Sequence, residues 1–217
     1  MPKERIVHFP PFLDSAAYRV APKERAAHRA DLARQRGLDP AVPWIVVAAM
    51  MRAGDKVASY RALADALSQL ADLPWRLVVA GDGSGRSEVE AALERAVPGR
   101  ACFLGTLEAR QLASTYAACD LYAWPAVNEA YGMSLLEAQA AGVPVAAVAT
   151  RGVPDVVIDG RTGVLAKDIA ALPEALRALL TDQRRREKMG KQAAAFVHRE
   201  RSLDAAAQRL GKILAAL

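Results

Sequence analysis

Two glutamates, Glu129 and Glu137, stand with seven residues between them in the stretch 128–145. Tyr131-Gly132 follows the first, and then an apolar, Ala-rich run reads as a helix that stops at Gly142-Val143-Pro144. One carboxylate therefore belongs to a loop and the other to the early turns of a helix. The free N–H groups of that helix's first turn lie between them. Such groups have no partner in the chain, and the helix dipole is positive there, so the place suits an anion, most often a phosphate. Gly132 has no side chain and lets a ligand approach the backbone closely. Carboxylates accept hydrogen bonds from hydroxyls. A ligand with phosphates in its middle and hydroxyl-rich rings on either side fits this layout: a nucleotide sugar. Two glutamates taken alone are more often a solvated loop residue and an exposed helix residue, and the other loops decide between the readings.

The elements that must position these groups show in the periodicity. From Pro43 onward, strand-like runs at 44–49, 75–80, 101–104, 121–124, 145–148 and 163–166 alternate with helical stretches at 57–71, 87–97 and 109–118, the helix of the opening stretch, and a short helix at 153–158. Three helices close the chain, at 170–180, 182–199 and 203–217. The first strand, Trp44-Ile45-Val46-Val47-Ala48-Ala49, is apolar without interruption, as a strand buried on both faces is. This alternation predicts an α/β fold, a doubly wound parallel sheet of about six strands, Rossmann-like, with extra C-terminal helices. Ligands of such sheets bind beyond the carboxyl ends of the strands. The loops 50–56, 81–85, 105–107, 125–132 and 150–154 are therefore expected on one edge. Upstream, residues 5–20 begin as a short strand broken at Pro10-Pro11, and a basic, helix-prone segment follows at 23–37. Residues 1–42 read as an interdomain linker with a leading helix, and 43–217 as the domain proper.

At 217 residues, with 53% hydrophobic and 24% charged residues, the chain can bury a sizeable core. The net charge of +5 is modest. Basic residues gather at Arg184-Arg185-Arg186, Lys188 and Lys191, which read first as a solvated helix face and second as a contact for an anionic membrane surface. Nucleic acid is not expected, since no zinc spacing or aromatic strand motif accompanies the charge. The two cysteines, Cys102 and Cys119, lack metal-ligand spacing and read as buried free thiols. No apolar run is long enough to span a membrane, and residues 1–5 carry no signal-peptide core, so a cytoplasmic protein, at most peripheral to a membrane, is expected.

Among the loops, Arg52 and Lys56 flank a turn after the first buried strand, where cations could hold a diphosphate and stabilise it as a leaving group. Gly81-Asp82-Gly83-Ser84-Gly85 resembles half of a dinucleotide fingerprint but has Arg86 where the third glycine belongs, and it follows the second strand. NAD binding is therefore rejected, though the loop, through Gly81 and Asp82, can line a nucleotide pocket. Phe103-Leu104-Gly105-Thr106 ends a strand with backbone that could meet a base. His8, His28 and His198 pair with no nucleophile motif and read as structural or surface residues. With no H-E-x-x-H and no carboxylate-rich cation loop, no metal and no other cofactor is expected.

Taken together, these loops resemble the C-terminal, donor-binding half of GT-B-fold glycosyltransferases, in particular glycosyltransferase family 4 (glycosyl transferases group 1). His8-Phe9-Pro10-Pro11-Phe12-Leu13-Asp14 is similar to that family's interdomain segment. Lys56, Gly81-Asp82-Gly83, Phe103-Leu104-Gly105, the E-x7-E pattern of Glu129 and Glu137 with Gly132 inside it, Gly142-Val143-Pro144-Val145, Gly152-Val153-Pro154-Asp155 and Asp159–Gly163 match its later motifs in order. The resemblance implies that Glu137 binds ribose hydroxyls and that Glu129 contacts the transferred sugar. It gives the amides of Tyr131, Gly132, Met133 and Ser134 to sugar and diphosphate, Lys56 to the leaving diphosphate, and the backbone at Thr106 and Leu107 to the base. It implies a retaining, metal-independent transfer from a UDP-, GDP- or ADP-linked sugar to an acceptor hydroxyl.

Two departures stand out. The family usually places an arginine five residues before the lysine, where this chain has Met51, with Arg52 one residue later. Either Arg52 serves through a bent loop or one cation is missing, and the first is expected. About forty residues precede the first strand, too few for the N-terminal domain that supplies the acceptor site. The chain is thus expected to be a donor-binding half, inactive alone, whose terminal helix at 203–217 could drive dimerisation. The competing readings are a non-catalytic nucleotide-sugar-binding or interaction module on the same fold, and a GT-B epimerase or phosphorylase relative.

Overall fold

The strand-length apolar runs assemble into one six-stranded sheet, ordered β3-β2-β1-β4-β5-β6, in a computed structural model that describes residues 6–216. Its strands are β1 (Trp44–Ala48), β2 (Arg76–Ala80), β3 (Ala101–Gly105), β4 (Leu121–Trp124), β5 (Val145–Val148) and β6 (Gly163–Ala166). Every pairing is parallel. The crossovers are α2 (Asp55–Ser68), α3 (Arg86–Ala96), α4 (Ala109–Ala118), α5 (Met133–Ala140) and the single turn α6 (Val153–Val156). A leading helix, α1 (Pro22–Arg36), precedes them, and α7 (Leu172–Leu180), α8 (Gln183–Glu200) and α9 (Leu203–Leu214) follow. The expected α/β fold, with six parallel strands and extra C-terminal helices, is the fold observed.

β1, β4 and β5 are buried at every position, as strands covered on both faces must be. α2 packs on α3 and α7, while α5 packs on α4 and α8, so the helices form two groups, one over each face. α1 is fastened to the second group through Arg29. Its guanidinium donates to the Asp120 carboxylate at 2.9 Å and to the carbonyls of Ala118 and Val42, and it lies 4.1 Å from the centre of the Trp44 ring. Asp120 in turn accepts from the Trp44 amide at 2.8 Å, where β1 begins.

Several expectations need correction. The short strand at the start of the chain does not form: residues 6–12 run without regular pairing, and a lone bridge joins Leu13 to Ser202 (residue 5 lies outside the described range). Pro10 and Pro11 each lack the N–H a ladder needs. Lys56 sits in the first turn of α2 rather than in the preceding loop. Arg186 does not belong to a solvated face. It is buried, and its Nη1 donates to the carbonyls of Leu179 and Leu180 at 2.6 and 2.8 Å, closing the carboxyl end of α7. Cys119 is buried but Cys102 only half so. No helix among the described residues is long and apolar enough to cross a membrane.

The five expected loops do share one edge, and backbone hydrogen bonds join three of them in a row and the other two as a pair. Gly81 donates to Gly105, Met51 donates to Asp82, and Gly152 donates to Ala130, at 2.8, 2.9 and 3.0 Å. Gly85 returns a bond to the Met51 carbonyl at 2.7 Å. The Gly-Asp-Gly turn thus packs directly on the loop after β1. Gly83 has φ 153°, and a Cβ added there would stand 2.6 Å from the Met51 carbonyl oxygen. Gly83→Ala is expected to cost about 2 kcal/mol or more in chemical denaturation, through strain and overlap with backbone. Unchanged stability would show that the two loops do not depend on this close approach.

Candidate functional site

The site begins with strained backbone. Ala126, Asn128 and Arg151, none of them glycine, adopt left-handed φ values of 57°, 54° and 44°. Such residues cost on the order of 1–3 kcal/mol each and persist where neighbours hold them. Here the neighbours are visible. The Ala126 carbonyl accepts from Thr150 Oγ1 at 2.8 Å and from the Glu129 amide at 3.1 Å. The Val127 amide donates to Ser59 Oγ at 3.1 Å, and Asn128 Nδ2 donates to Asp55 Oδ2 at 2.7 Å. The last two bonds tie the loop after β4 to α2, and the loop folds Glu129 back toward the end of β1.

Glu129 Oε2 there meets Lys56 Nζ at 2.6 Å and accepts from Trp124 Nε1 at 3.2 Å. Both ionised side chains are largely enclosed, with 24% of Lys56 and 16% of Glu129 exposed. Beside them α5 starts from Gly132, whose φ of 75° suits glycine. No side chain caps this helix, and no acidic residue stands in its first turn. Tyr122, wholly buried, places its hydroxyl 2.7 Å from Ser134 Oγ and 3.2 Å from the Ala48 carbonyl, and so ties that first turn to β1. Lys56, Glu129, Tyr131, Gly132, Met133 and Ser134 line one cleft of about 350 Å³ together with Ala48, Ala49 and Met50 at the end of β1. An uncapped helix N-terminus and an ammonium can hold an anion. A carboxylate alongside can hold hydroxyls.

The remaining expected residues do not line this cleft. Glu137 lies on the second turn of α5 and faces α4, where its Oε2 accepts from the Tyr116 hydroxyl at 3.0 Å. Burial lifts its carboxyl above the ordinary value, and the Tyr116 bond offsets part of the lift. Tyr18, in the 3-10 turn before α1, lies against the same group and is pushed up to about 12, first by burial and then by the charge of Glu137. Arg52 is exposed outside the cleft, while Met51 before it is fully buried. Thr106 is exposed, and Leu107 lines a separate depression between α1 and α4. Gly81 lies against the Ala49 backbone. Asp82 accepts from the Gly83 amide at 2.7 Å and pairs with Arg86 at 2.8 Å, contacts that hold its carboxyl below the usual range. Among the described residues no cluster of three or more His, Cys, Asp or Glu side chains could hold a metal.

Three residues of the site were not singled out from the sequence: Tyr116, Tyr122 and Trp124. Their signal was present, because each is a polar-tipped aromatic in an apolar run, and such tips need a partner when buried. Tyr122 and Trp124 are two apart on β4 and share a face.

The family described as glycosyl transferases group 1 matches residues 46–196. The D-inositol 3-phosphate glycosyltransferase of Nocardia farcinica is 34% identical over 201 residues, which are 89% of this chain and 44% of that protein. The C-terminal domain of LpcC, a glycosyl transferase group 1 family protein from Francisella tularensis, superposes with TM-score 0.71 at 20% identity, covering 88% of this chain and 98% of that one. HepE of Anabaena, in complex with UDP and glucose, superposes with TM-score 0.76 at 21% identity, covering 94% of this chain and 55% of that one. At such identities the structural likeness shows the fold. The chain spans about half the length of the full relatives, 44% of the Nocardia protein and 55% of HepE.

Glu137 gives a test with a definite sign. Its folded-state pKa is raised, so the folded chain keeps a proton there to higher pH than the unfolded chain does. The linked stability is full below the ordinary value of 4.5 and is lost as pH rises through the folded value. Glu137→Gln keeps an acceptor for Tyr116 and is expected to melt above the wild type at pH 7. The gap should close as the pH falls below 4.5. A variant that melts lower at pH 7, or a gap independent of pH, would contradict this.

Proposed function

The chain belongs to the glycosyl transferases group 1 family, and we propose that it is the donor-binding half of a retaining enzyme that moves a sugar from a nucleoside-diphosphate sugar to an acceptor hydroxyl. The observation that carries the reading is the convergence of Lys56, Glu129 and the uncapped start of α5 on one cleft. In this reading the amides of residues 131–134 bind phosphate and sugar oxygens. The Lys56 ammonium balances the charge that develops on the leaving diphosphate, and it does so in an enclosed place where that charge is poorly solvated. Glu129 accepts hydrogen bonds from the sugar. Glu137, with one oxygen on Tyr116, offers the other to the ribose. Arg52 is the second cation, brought in by bending of the exposed loop after β1. The backbone around Thr106 and Leu107, with Gly81 and Asp82 beside it, receives the base.

The relative from Anabaena holds UDP and glucose, which supports a nucleoside-diphosphate donor. The acceptor site and the cover that excludes water belong to the other half of such an enzyme, so the chain alone is assigned donor binding without efficient transfer. That half also gives the exposed apolar residues near the two ends a partner: Ile6, Val7 and Phe12, with Leu203, Leu210 and Leu214 on α9. Without it, a second copy would cover them, and light scattering at high concentration is expected to find a dimer. A strictly monomeric species would remove that assignment.

Calorimetry tests the donor reading directly. One of UDP, GDP or ADP is expected to bind at micromolar to millimolar concentration, and Lys56→Met should weaken that binding by about 1–3 kcal/mol, as loss of a charged hydrogen bond does. Arg52→Ala should weaken it less. Absence of binding by all three nucleotides would overturn the reading.

A further inference from the structure

Two donors of very different mobility converge on Glu129 Oε2. One is the Lys56 ammonium at 2.6 Å, carried on a flexible four-carbon stem. The other is the Trp124 indole N–H at 3.2 Å. Trp124 is only 1% exposed, and its ring stands edge-on to Tyr60, with centroids 5.2 Å apart and planes at 81°. Tyr60 is itself pinned by its hydroxyl, which donates to the Ala49 carbonyl at 2.9 Å. Among the described residues the indole N–H has no acceptor other than Glu129, and an indole is a donor only. If Glu129 swung away, a buried donor would be left without a partner. If Lys56 swung away, its ammonium could take an incoming anion instead.

We propose that Trp124 is a positioning residue, which holds Glu129 in place while Lys56 leaves that carboxylate for the diphosphate of a nucleotide sugar. The proposal rests on the donor-site reading above. A diphosphate brings more negative charge to the mouth of α5 than one carboxylate, and it competes for Lys56 on those terms. Trp124 keeps Oε2, and Oε1, which accepts no hydrogen bond among the described residues, stays available for a sugar hydroxyl. Affinity for the diphosphate is then independent of the indole N–H, and the additional affinity due to the sugar depends on it. The Lys56 ammonium also lies 5.5 Å from the centre of the Trp124 ring, so the ring guides both partners while touching neither ligand part.

Trp124→Phe retains an aromatic ring against Tyr60 and removes the N–H. Calorimetry with UDP and UDP-glucose is the test. The variant is expected to bind UDP within about twofold of the wild type and UDP-glucose about tenfold more weakly, the effect of one charged hydrogen bond. Equal weakening of both ligands would reduce Trp124 to a packing role, and no weakening of either would overturn the proposal. A second measurement does not need that variant. In the proton–nitrogen spectrum of the ligand-free chain, one of the indole resonances should move on Glu129→Gln, and in the wild type it should hold its place when UDP is added. Failure of the wild-type protein to bind UDP, GDP and ADP alike counts against the donor reading, and if GDP or ADP binds in place of UDP, that nucleotide and its glucose conjugate replace the UDP pair in the comparison. An indole spectrum unchanged by Glu129→Gln counts against the role of Trp124, whatever binds.

Discussion

The sheet reverses its direction of growth between β1 and β4, and the site depends on that reversal. The chain builds outward from β1 through β2 to β3, then returns through α4 to lay β4 on the other side of β1. The connection leaving β1 therefore goes to one face and the connection leaving β4 to the other. A crevice opens between them at the carboxyl edge, as it does in doubly wound sheets generally. Lys56 comes from the first connection and Glu129 from the second. They are 73 residues apart in the chain and 2.6 Å apart in space. A parallel sheet can place both on the same edge because every strand points the same way.

What fills the crevice without a ligand is a set of groups that satisfy one another. The ammonium and the carboxylate neutralise each other, Trp124 shares the carboxylate, and Tyr122 joins Ser134 to the end of β1. Enclosed charges of this kind would be costly alone. Their pairing lets the free site exist, and in the proposed reading ligand binding is an exchange of partners rather than the filling of an empty hole. The strained residues Ala126, Asn128 and Arg151 belong to the same economy of positions, since each lies on a loop that touches the cleft or the loop beside it. Glu137 stands apart from the exchange. It is held by Tyr116 and raised by burial, a carboxylate kept at some cost to stability.

The fold was legible because its signals are local and repeated. Apolar runs of strand length, helices between them and glycines at the turns each limit the backbone, and together they leave few arrangements. The ends of the chain were harder. Residues 6–12 have a strand-like composition, but two prolines and the absence of a neighbouring strand leave them unpaired. Glu129, Lys56 and residues 131–134, which line the cleft, stand out in the sequence by residue type and by their places after a strand or at a helix start. Trp124 and Tyr116 do not stand out there, since each lies in an apolar run and only the fold shows what its polar tip meets. Arg186 was misjudged for a related reason: it sits among solvated neighbours in sequence, and only its rotation about α8 turns it inward to the end of α7. The separation of Leu107 from the cleft likewise reflects the docking of α1 on α4, a contact between segments far apart in the chain.

The central claim is that an anion enters at the start of α5 and takes Lys56 from Glu129. A crystal structure of the chain with a bound nucleoside diphosphate tests it most directly. The account expects a phosphate on the amides of residues 132–134, Lys56 Nζ turned onto it, and Glu129 still bonded to Trp124. A diphosphate seated elsewhere, such as the larger cavity lined by Arg25, Lys191 and His198, with the Lys56–Glu129 pair intact, would contradict it.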